Sequence, residues 1–104
     1  MKLLFVTSLK EHQADVARIL EQAGITVFSA TETTGFKNTR DENLLTSWFA
    51  HSRDEYNSVF LFSFTTELNA TRALQLIRDY NDAQATGFPI RAFMLPVEKS
   101  SNEV

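Results

Sequence analysis

The side chains that most often perform chemistry in proteins are sparse in this sequence. It has no cysteine and two histidines, His12 and His51. Neither histidine has a second histidine or a cysteine at the spacing of zinc ligands, so no single segment encodes a site of that type. Asp41 and Glu42 are adjacent, so their side chains diverge on any regular backbone and make a poor catalytic pair. The glycine-rich phosphate loops and the G-x-S-x-G turn of hydrolases are also absent. We therefore expect no catalytic site and no metal site.

Length and charge narrow the classes of protein further. A chain of 104 residues fits one compact domain. Thirteen acidic residues against ten basic ones give a net charge of −3, which is unfavourable for binding nucleic acid. The longest apolar run near the N-terminus, residues 3–6, is too short for a signal peptide or a membrane helix. We expect a cytoplasmic domain that neither binds nucleic acid nor inserts into a membrane.

The residue pattern predicts four strands and two helices in the order β-α-β-β-α-β. The predicted strands cover residues 3–8, 25–33, 58–64 and 90–97, and the predicted helices cover residues 9–23 and 67–83. Ser8 and Glu11 have the spacing of a capping box, Thr66 is the expected cap of the second helix, and Gly24 is expected to end the first. This order is that of ferredoxin-like α+β domains, which have an antiparallel four-stranded sheet.

Both faces of the predicted sheet are apolar. In the first strand Leu3 and Phe5 alternate with Leu4 and Val6, and the third and fourth strands alternate in the same way. Two helices can cover only one face of such a sheet, so the other face is expected to associate with a second copy of the chain. The candidates for subunit or helix contacts are Phe5, Phe60, Phe62 and Phe93, and strand parity alone does not assign the two faces.

A long connection, predicted from Thr33 to Glu55, separates the second and third strands. Connections longer than about 12–15 residues in compact domains are usually functional or disordered. Four apolar residues within it have the spacing of a short amphipathic helix. These residues are Leu44, Leu45, Trp48 and Phe49. They either pack on their own protein or bind a partner, and the sequence leaves both interpretations open.

The segment ATETTGFK at residues 30–37 resembles the T-E-v-x-G-F-G signature of nitrogen regulatory P-II proteins. The opening of the chain, a strand and a helix that ends at a glycine, is similar to the opening of that family. The resemblance extends over most of residues 1–97. It implies one P-II-like domain over residues 1–98, with a long loop over residues 36–55 called the T-loop, and a flexible tail over residues 99–104.

P-II proteins are homotrimers that bind adenine nucleotides or related effectors between subunits, and their T-loop docks on a transporter, enzyme or regulator. The resemblance implies these properties here. The implied ligand-binding residues are Thr31, Glu32, Gly35, Phe36, Lys37, Gly87 and Arg91, and the implied partner-binding residues are Leu44, Leu45, Trp48 and Phe49. The second ligand loop has one glycine where typical members have several. We therefore expect a divergent member, with an altered ligand or none.

Two alternatives belong to other functional classes. The first is a CutA-like or metal-efflux-associated trimer that responds to a divalent metal. The scarcity of histidine and the absence of cysteine count against this alternative. A metal site assembled between subunits stays open. The second is a small enzyme with a ferredoxin-like fold and a pocket beside the sheet. An enzyme of this kind requires a catalytic group on the wall of that pocket. The strand positions that face inward are nearly all apolar, which counts against it.

Overall fold

The computed structural model describes residues 1–36, 55–84 and 89–102. In these ranges the elements are β1 (Lys2–Leu9), α1 (Gln13–Gln22), β2 (Ser29–Phe36), β3 (Glu55–Thr65), α2 (Glu67–Gln84) and β4 (Arg91–Pro96). The four strands form one antiparallel sheet in the order β2-β3-β1-β4. This arrangement confirms the predicted ferredoxin-like α+β fold.

The two helices lie on one side of the sheet, which we call the covered face. Leu4 and Val6 of β1 alternate onto this face and are 1% and 0% exposed. Because side chains alternate along a strand, Val59 and Leu61 of β3 reach the same side and are fully buried there. The helices contribute the remaining core residues. These are Val16, Ile19, Leu20, Ala70, Ala73 and Ile77.

The first helix begins later than the sequence indicates. Ser8 stays in β1, where it pairs with Val59, and its hydroxyl donates to the carbonyl of Leu9 at 3.0 Å instead of capping a helix. A short 3-10 helix, Lys10–His12, then leads into α1. The predicted capping box is therefore wrong, because strand pairing extends β1 through Leu9.

The second strand is also displaced from its predicted position. Ile25 is a β-branched residue of the type common in strands, but it lies before the strand and packs in the core, at 3% exposed. Its backbone N–H donates to the carbonyl of Leu20 at 2.9 Å, closing the turn after α1. The strand itself extends to Phe36, which pairs with Glu55 of β3. The connection is thus shorter at its N-terminal end than predicted.

The predicted helix ends at Gly24 and Thr66 are confirmed. Gly24 has φ +89°, a left-handed conformation that costs other residues energy, and its N–H donates to the carbonyl of Glu21 at 3.0 Å. The hydroxyl of Thr66 accepts the backbone N–H of Asn69 at 3.1 Å at the start of α2. These two caps fix where each helix meets the sheet.

Candidate functional site

The side of the sheet opposite the helices, which we call the open face, carries a stripe of phenylalanine side chains. The rings of Phe5 and Phe60 stack at 5.0 Å between centroids, and Phe60 and Phe62 lie 6.2 Å apart. Phe62 then contacts Phe64 edge-on at 6.5 Å. Phe64 is 57% exposed and Leu95 is 44% exposed on the same face. Strand register pairs Phe93 of β4 with Phe5 of β1. The residues that the sequence left unassigned therefore all belong to the open face, namely Phe5, Phe60, Phe62 and Phe93.

One end of the open face is polar. Strand register aligns Thr31, Phe60, Thr7 and Arg91 in one row across the sheet, from β2 to β4. Ser58 lies two residues before Phe60 on β3 and is 1% exposed. Its hydroxyl has no hydrogen-bond partner within the described part of the chain. The sheet thus changes from apolar to polar toward the end where β2 and β3 lead into residues 37–54.

The predicted ligand residues divide between the two edges of the sheet. Thr31 and Glu32 lie on β2, at one edge, and Arg91 begins β4, at the other. Three strand spacings of about 4.8 Å separate these edges, or roughly 14 Å. Glu32 is also engaged, because its carboxylate accepts the Lys10 ammonium at 3.0 Å. Within one chain, Thr31 and Glu32 therefore do not lie together with Arg91.

The other predicted residues are described in part or not at all. Gly35 and Phe36 end β2, and only their backbone is described. Several predicted positions lie outside the described residues. These are Lys37, Gly87, Leu44, Leu45, Trp48, Phe49 and His51.

The surroundings of Arg91 include residues that sequence analysis missed. Arg91 lines a cavity of about 270 Å³ between α2 and β4, together with Arg78 and Asn81 of α2. Asn81 donates to the carbonyl of Ile90 at 2.8 Å and accepts the Ile90 N–H at 2.9 Å. Arg78 and Asn81 are three residues apart on α2, which places them on one face of the helix, but this common spacing would not have identified them from the sequence.

A hydrogen-bonded cluster joins the outer ends of the two helices. The hydroxyl of Tyr80 donates to Asp15 Oδ2 at 2.6 Å, and Arg18 Nη2 donates to Asp15 Oδ1 at 3.0 Å. The Tyr80 hydrogen bond, with the Arg18 hydrogen bond and charge, lowers the pKa of Asp15 although desolvation opposes it. The same bond to Asp15, with burial, raises the pKa of Tyr80. This cluster ties α1 to α2.

His12 contacts this cluster and differs from its predicted place. The sequence places it in the helix predicted over residues 9–23, whereas it lies half-buried in the 3-10 helix. Its Nδ1 lies 3.5 Å from the Tyr80 hydroxyl, and the two rings meet edge-on. The difference arises because the chain turns later than predicted. His12 thus has a structural contact between helices.

Two features are absent from the residues that the structure describes. In residues 1–36, 55–84 and 89–102, no group of three or more histidine, cysteine, aspartate or glutamate side chains is placed to hold a metal ion. No helix in those ranges is both long and apolar enough to cross a membrane.

Comparisons with known proteins identify a similar fold. No protein-family model matches the sequence, and no curated protein matches it either. Among solved structures, the chain is similar to a Thermus thermophilus protein provisionally described as a PII-like signalling protein. The two share 16% sequence identity and a TM-score of 0.61, over 89% of this chain and 82% of the other. At this identity the likeness concerns the backbone, so the chain has a fold that is similar to that of a PII-like protein.

Proposed function

We propose that this chain is a P-II-like regulatory protein of the cytoplasm, without catalytic activity of its own. In this proposal three copies associate through their open faces. A small anionic effector, with adenine nucleotides as the first candidates, binds in the cleft between subunits. The bound effector changes how residues 36–55 interact with a partner protein, a transporter, enzyme or regulator.

The observation that carries the proposal is the aromatic open face. Phenylalanine rings from β1 and β3 stack there on the side that the helices leave uncovered. Large apolar patches on a protein surface usually mark an interface, and aromatic side chains bury more area on association than aliphatic ones. Similarity of the fold to a PII-like protein agrees with this interpretation. Subunit association would remove the exposed rings from water.

The separation of the predicted ligand residues also favours a site between subunits. Thr31 and Arg91 lie at opposite edges of one sheet. In a closed ring of subunits, the β2 edge of one copy is available to approach the β4 edge of the next. That arrangement would join the two halves of the effector site. An effector bound there would stabilise the assembly by mass action.

The base of the long segment suits a partner-binding loop. Phe36 and Glu55 pair across β2 and β3, so the sheet holds the two ends of residues 37–54 next to each other. Changes in that segment would then leave the sheet intact. In the proposal, Leu44, Leu45, Trp48 and Phe49 contact the partner.

Sedimentation of the whole chain, with one disruptive variant and one control, tests the assembly. We expect a mass of three times 11.8 kDa for the wild type at micromolar concentration. Phe62→Asp introduces a charge into the aromatic stripe and is expected to reduce the mass to that of one chain. Leu68→Asp is the control, because Leu68 is 62% exposed on α2, away from the open face. A wild-type mass of a single chain would contradict the proposal, and a dimer would contradict its P-II-like part.

Deletion of residues 40–52 tests the role of the long segment. The sheet and both helices lie outside this deletion, so we expect the trimer mass and the thermal unfolding midpoint to be retained. Crosslinking in cell extract is expected to join a partner protein to the full chain. The deletion variant is expected not to bind that partner. If the deletion unfolds the protein or dissociates it, the segment packs on its own trimer and the partner-binding role is wrong.

A further inference from the structure

A second cavity, which we call the α1 cavity, lies between α1 and the connection from α1 to β2. Its volume is about 230 Å³. Part of its lining is apolar, because Ile25 is 3% exposed and Phe28 packs against the hydrophobic core on the helix side of the sheet. Ala17 lines the cavity from α1, and its small side chain leaves the space open. The other lining residues are polar, namely Arg18, Glu21 and Thr26.

The two charged residues of the lining differ in how they are paired. Arg18 donates to Asp15 at 3.0 Å, and Asp15 accepts the Tyr80 hydroxyl of α2, so this guanidinium is held toward α2. Ala17 lies two residues from Asp15, which places it on the opposite flank of the helix, and Glu21 shares that flank one turn later. Glu21 forms no ion pair with any other residue that the structure describes. Its carboxylate is therefore available to a ligand in the cavity.

Glu21 also occupies a position that a helix end disfavours. The helix ends at Gln22, and its last turn contains no basic residue. The C-terminal end of a helix carries a partial negative charge, which favours a cation and disfavours a carboxylate. Exceptions to such local rules occur most often at functional sites. The carboxylate and the helix end thus both favour a positive charge beside the cavity.

We propose that the α1 cavity binds a compact organic cation, a primary amine carried on an apolar body. The ammonium group pairs with Glu21, and the apolar body lies against Ile25 and Phe28. An aromatic ring such as that of Phe28 also attracts a cation. The volume is below the roughly 300–1,000 Å³ of pockets that enclose drug-sized ligands, so the ligand is small. Binding at this cavity goes beyond the proposed function and does not depend on it, because the whole lining belongs to one chain.

Titration of the full chain with benzylamine, followed by the NMR chemical shifts of backbone amides, tests the cavity. Benzylamine is a cation at neutral pH, and we expect saturable shifts centred on residues 17–28. Benzyl alcohol keeps the ring but lacks the charge, and is expected to bind at least about threefold more weakly. The absence of saturable shifts with benzylamine would overturn the proposal. Equal binding of benzyl alcohol, or shifts centred on another part of the chain, would overturn it too.

Three variants locate the binding site. Glu21→Gln is expected to weaken benzylamine binding by at least about threefold and to leave benzyl alcohol binding unchanged. Glu11→Gln is the matched control, because Glu11 is an exposed glutamate that does not line the cavity. Equal losses in the two glutamate variants would overturn the proposal, since the effect would then be one of net charge. Ala17→Leu fills the cavity and is expected to abolish binding of both compounds.

Retained benzylamine binding in a folded Ala17→Leu protein would overturn the location of the site. Glu21 is exposed, so Glu21→Gln remains informative if Ala17→Leu does not fold. Sedimentation and the deletion of residues 40–52 test the proposed function separately, because neither measurement involves the α1 cavity.

Discussion

The covered face and the open face of the sheet are both apolar, yet they are built from different residues. The covered face is aliphatic, with leucine and valine on β1 and β3 beneath helices that contribute alanine, isoleucine, leucine and valine at the contact. The open face is aromatic, with stacked phenylalanine rings and partly exposed side chains. Small aliphatic side chains allow helices to approach a sheet closely, whereas broad rings provide contact area to a second surface.

This difference shows that a residue's neighbours separate the two faces of the sheet where its own hydropathy does not. Leu3 and Leu4 are adjacent in β1 and equally apolar, but Leu4 is 1% exposed under the helices while Leu3 is half-buried on the open face. A hydropathy pattern treats the two residues alike. The residues across from them on neighbouring strands and helices distinguish them.

Replacement of these two leucines should give the largest difference between the faces. Leu4→Ala leaves a cavity in the core and is expected to lower the free energy of unfolding by about 2–5 kcal/mol. Leu3→Ala is expected to lower it by much less when measured at a concentration where the chain is monomeric. Urea unfolding of both variants at several protein concentrations makes the measurement. Equal losses at the lowest concentration would show that the open face is packed within one chain.

A second comparison concerns two asparagines of α2 on the covered side. Asn81→Ala removes two short hydrogen bonds to Ile90 and is expected to lower the free energy of unfolding by about 1–3 kcal/mol. Asn69→Ala removes one exposed bond to the Gly24 carbonyl, of 3.4 Å, and should have a smaller effect. Thermal unfolding of the two variants side by side provides the test. If both variants lose the same stability, the bonds of Asn81 do not hold β4 against α2.

The smallest expected effect is that of Tyr80→Phe, and its dependence on pH is specific. The lowered pKa of Asp15 means that its contribution to stability is present above the pKa of an unfolded aspartate and is lost as pH falls through the folded value. The raised pKa of Tyr80 means that its contribution is present below the pKa of an unfolded tyrosine and is lost as pH rises through the folded value. The stability difference between wild type and variant should therefore be greatest near neutral pH.

Unfolding of wild type and Tyr80→Phe at about pH 3, 7 and 11 measures that difference. We expect the difference between the two proteins to be smaller at both extremes than at pH 7. A gap that stays constant with pH would show that Tyr80 stabilises the helices only through packing of its ring.

Local signals predicted the fold well, and tertiary pairing decided what they missed. Gly24 and Thr66 end or begin helices through bonds to their nearest neighbours, so the sequence alone identified them. Ser8 looked like a cap, but its role depends on Val59, which is distant in the chain. Ile25 looked like a strand residue because burial and strand pairing favour similar residue types.

The candidate site was less predictable because its parts come from separate elements. Arg91 was identified through the family resemblance, whereas Arg78 is one of several arginines in the chain and nothing nearby distinguishes it. The packing of α2 against β4 places Arg78 in the lining of the same cavity as Arg91. Thr31 and Arg91 were expected in one site, and the strand order shows that they lie at opposite edges of the same sheet.

The central position of β1 has a consequence for how the chain is made. Within this sheet β1 is synthesised before the other strands, yet it pairs with β3 and β4, which follow much later. During translation the apolar residues of β1 have no partner strand until β3 emerges. The second edge of β1 is paired only after β4 has emerged. Pairings between such distant segments are slow to form, since a long loop must close first. A chain that stops before Arg91 would leave β1 as an exposed edge, which is a template for aggregation.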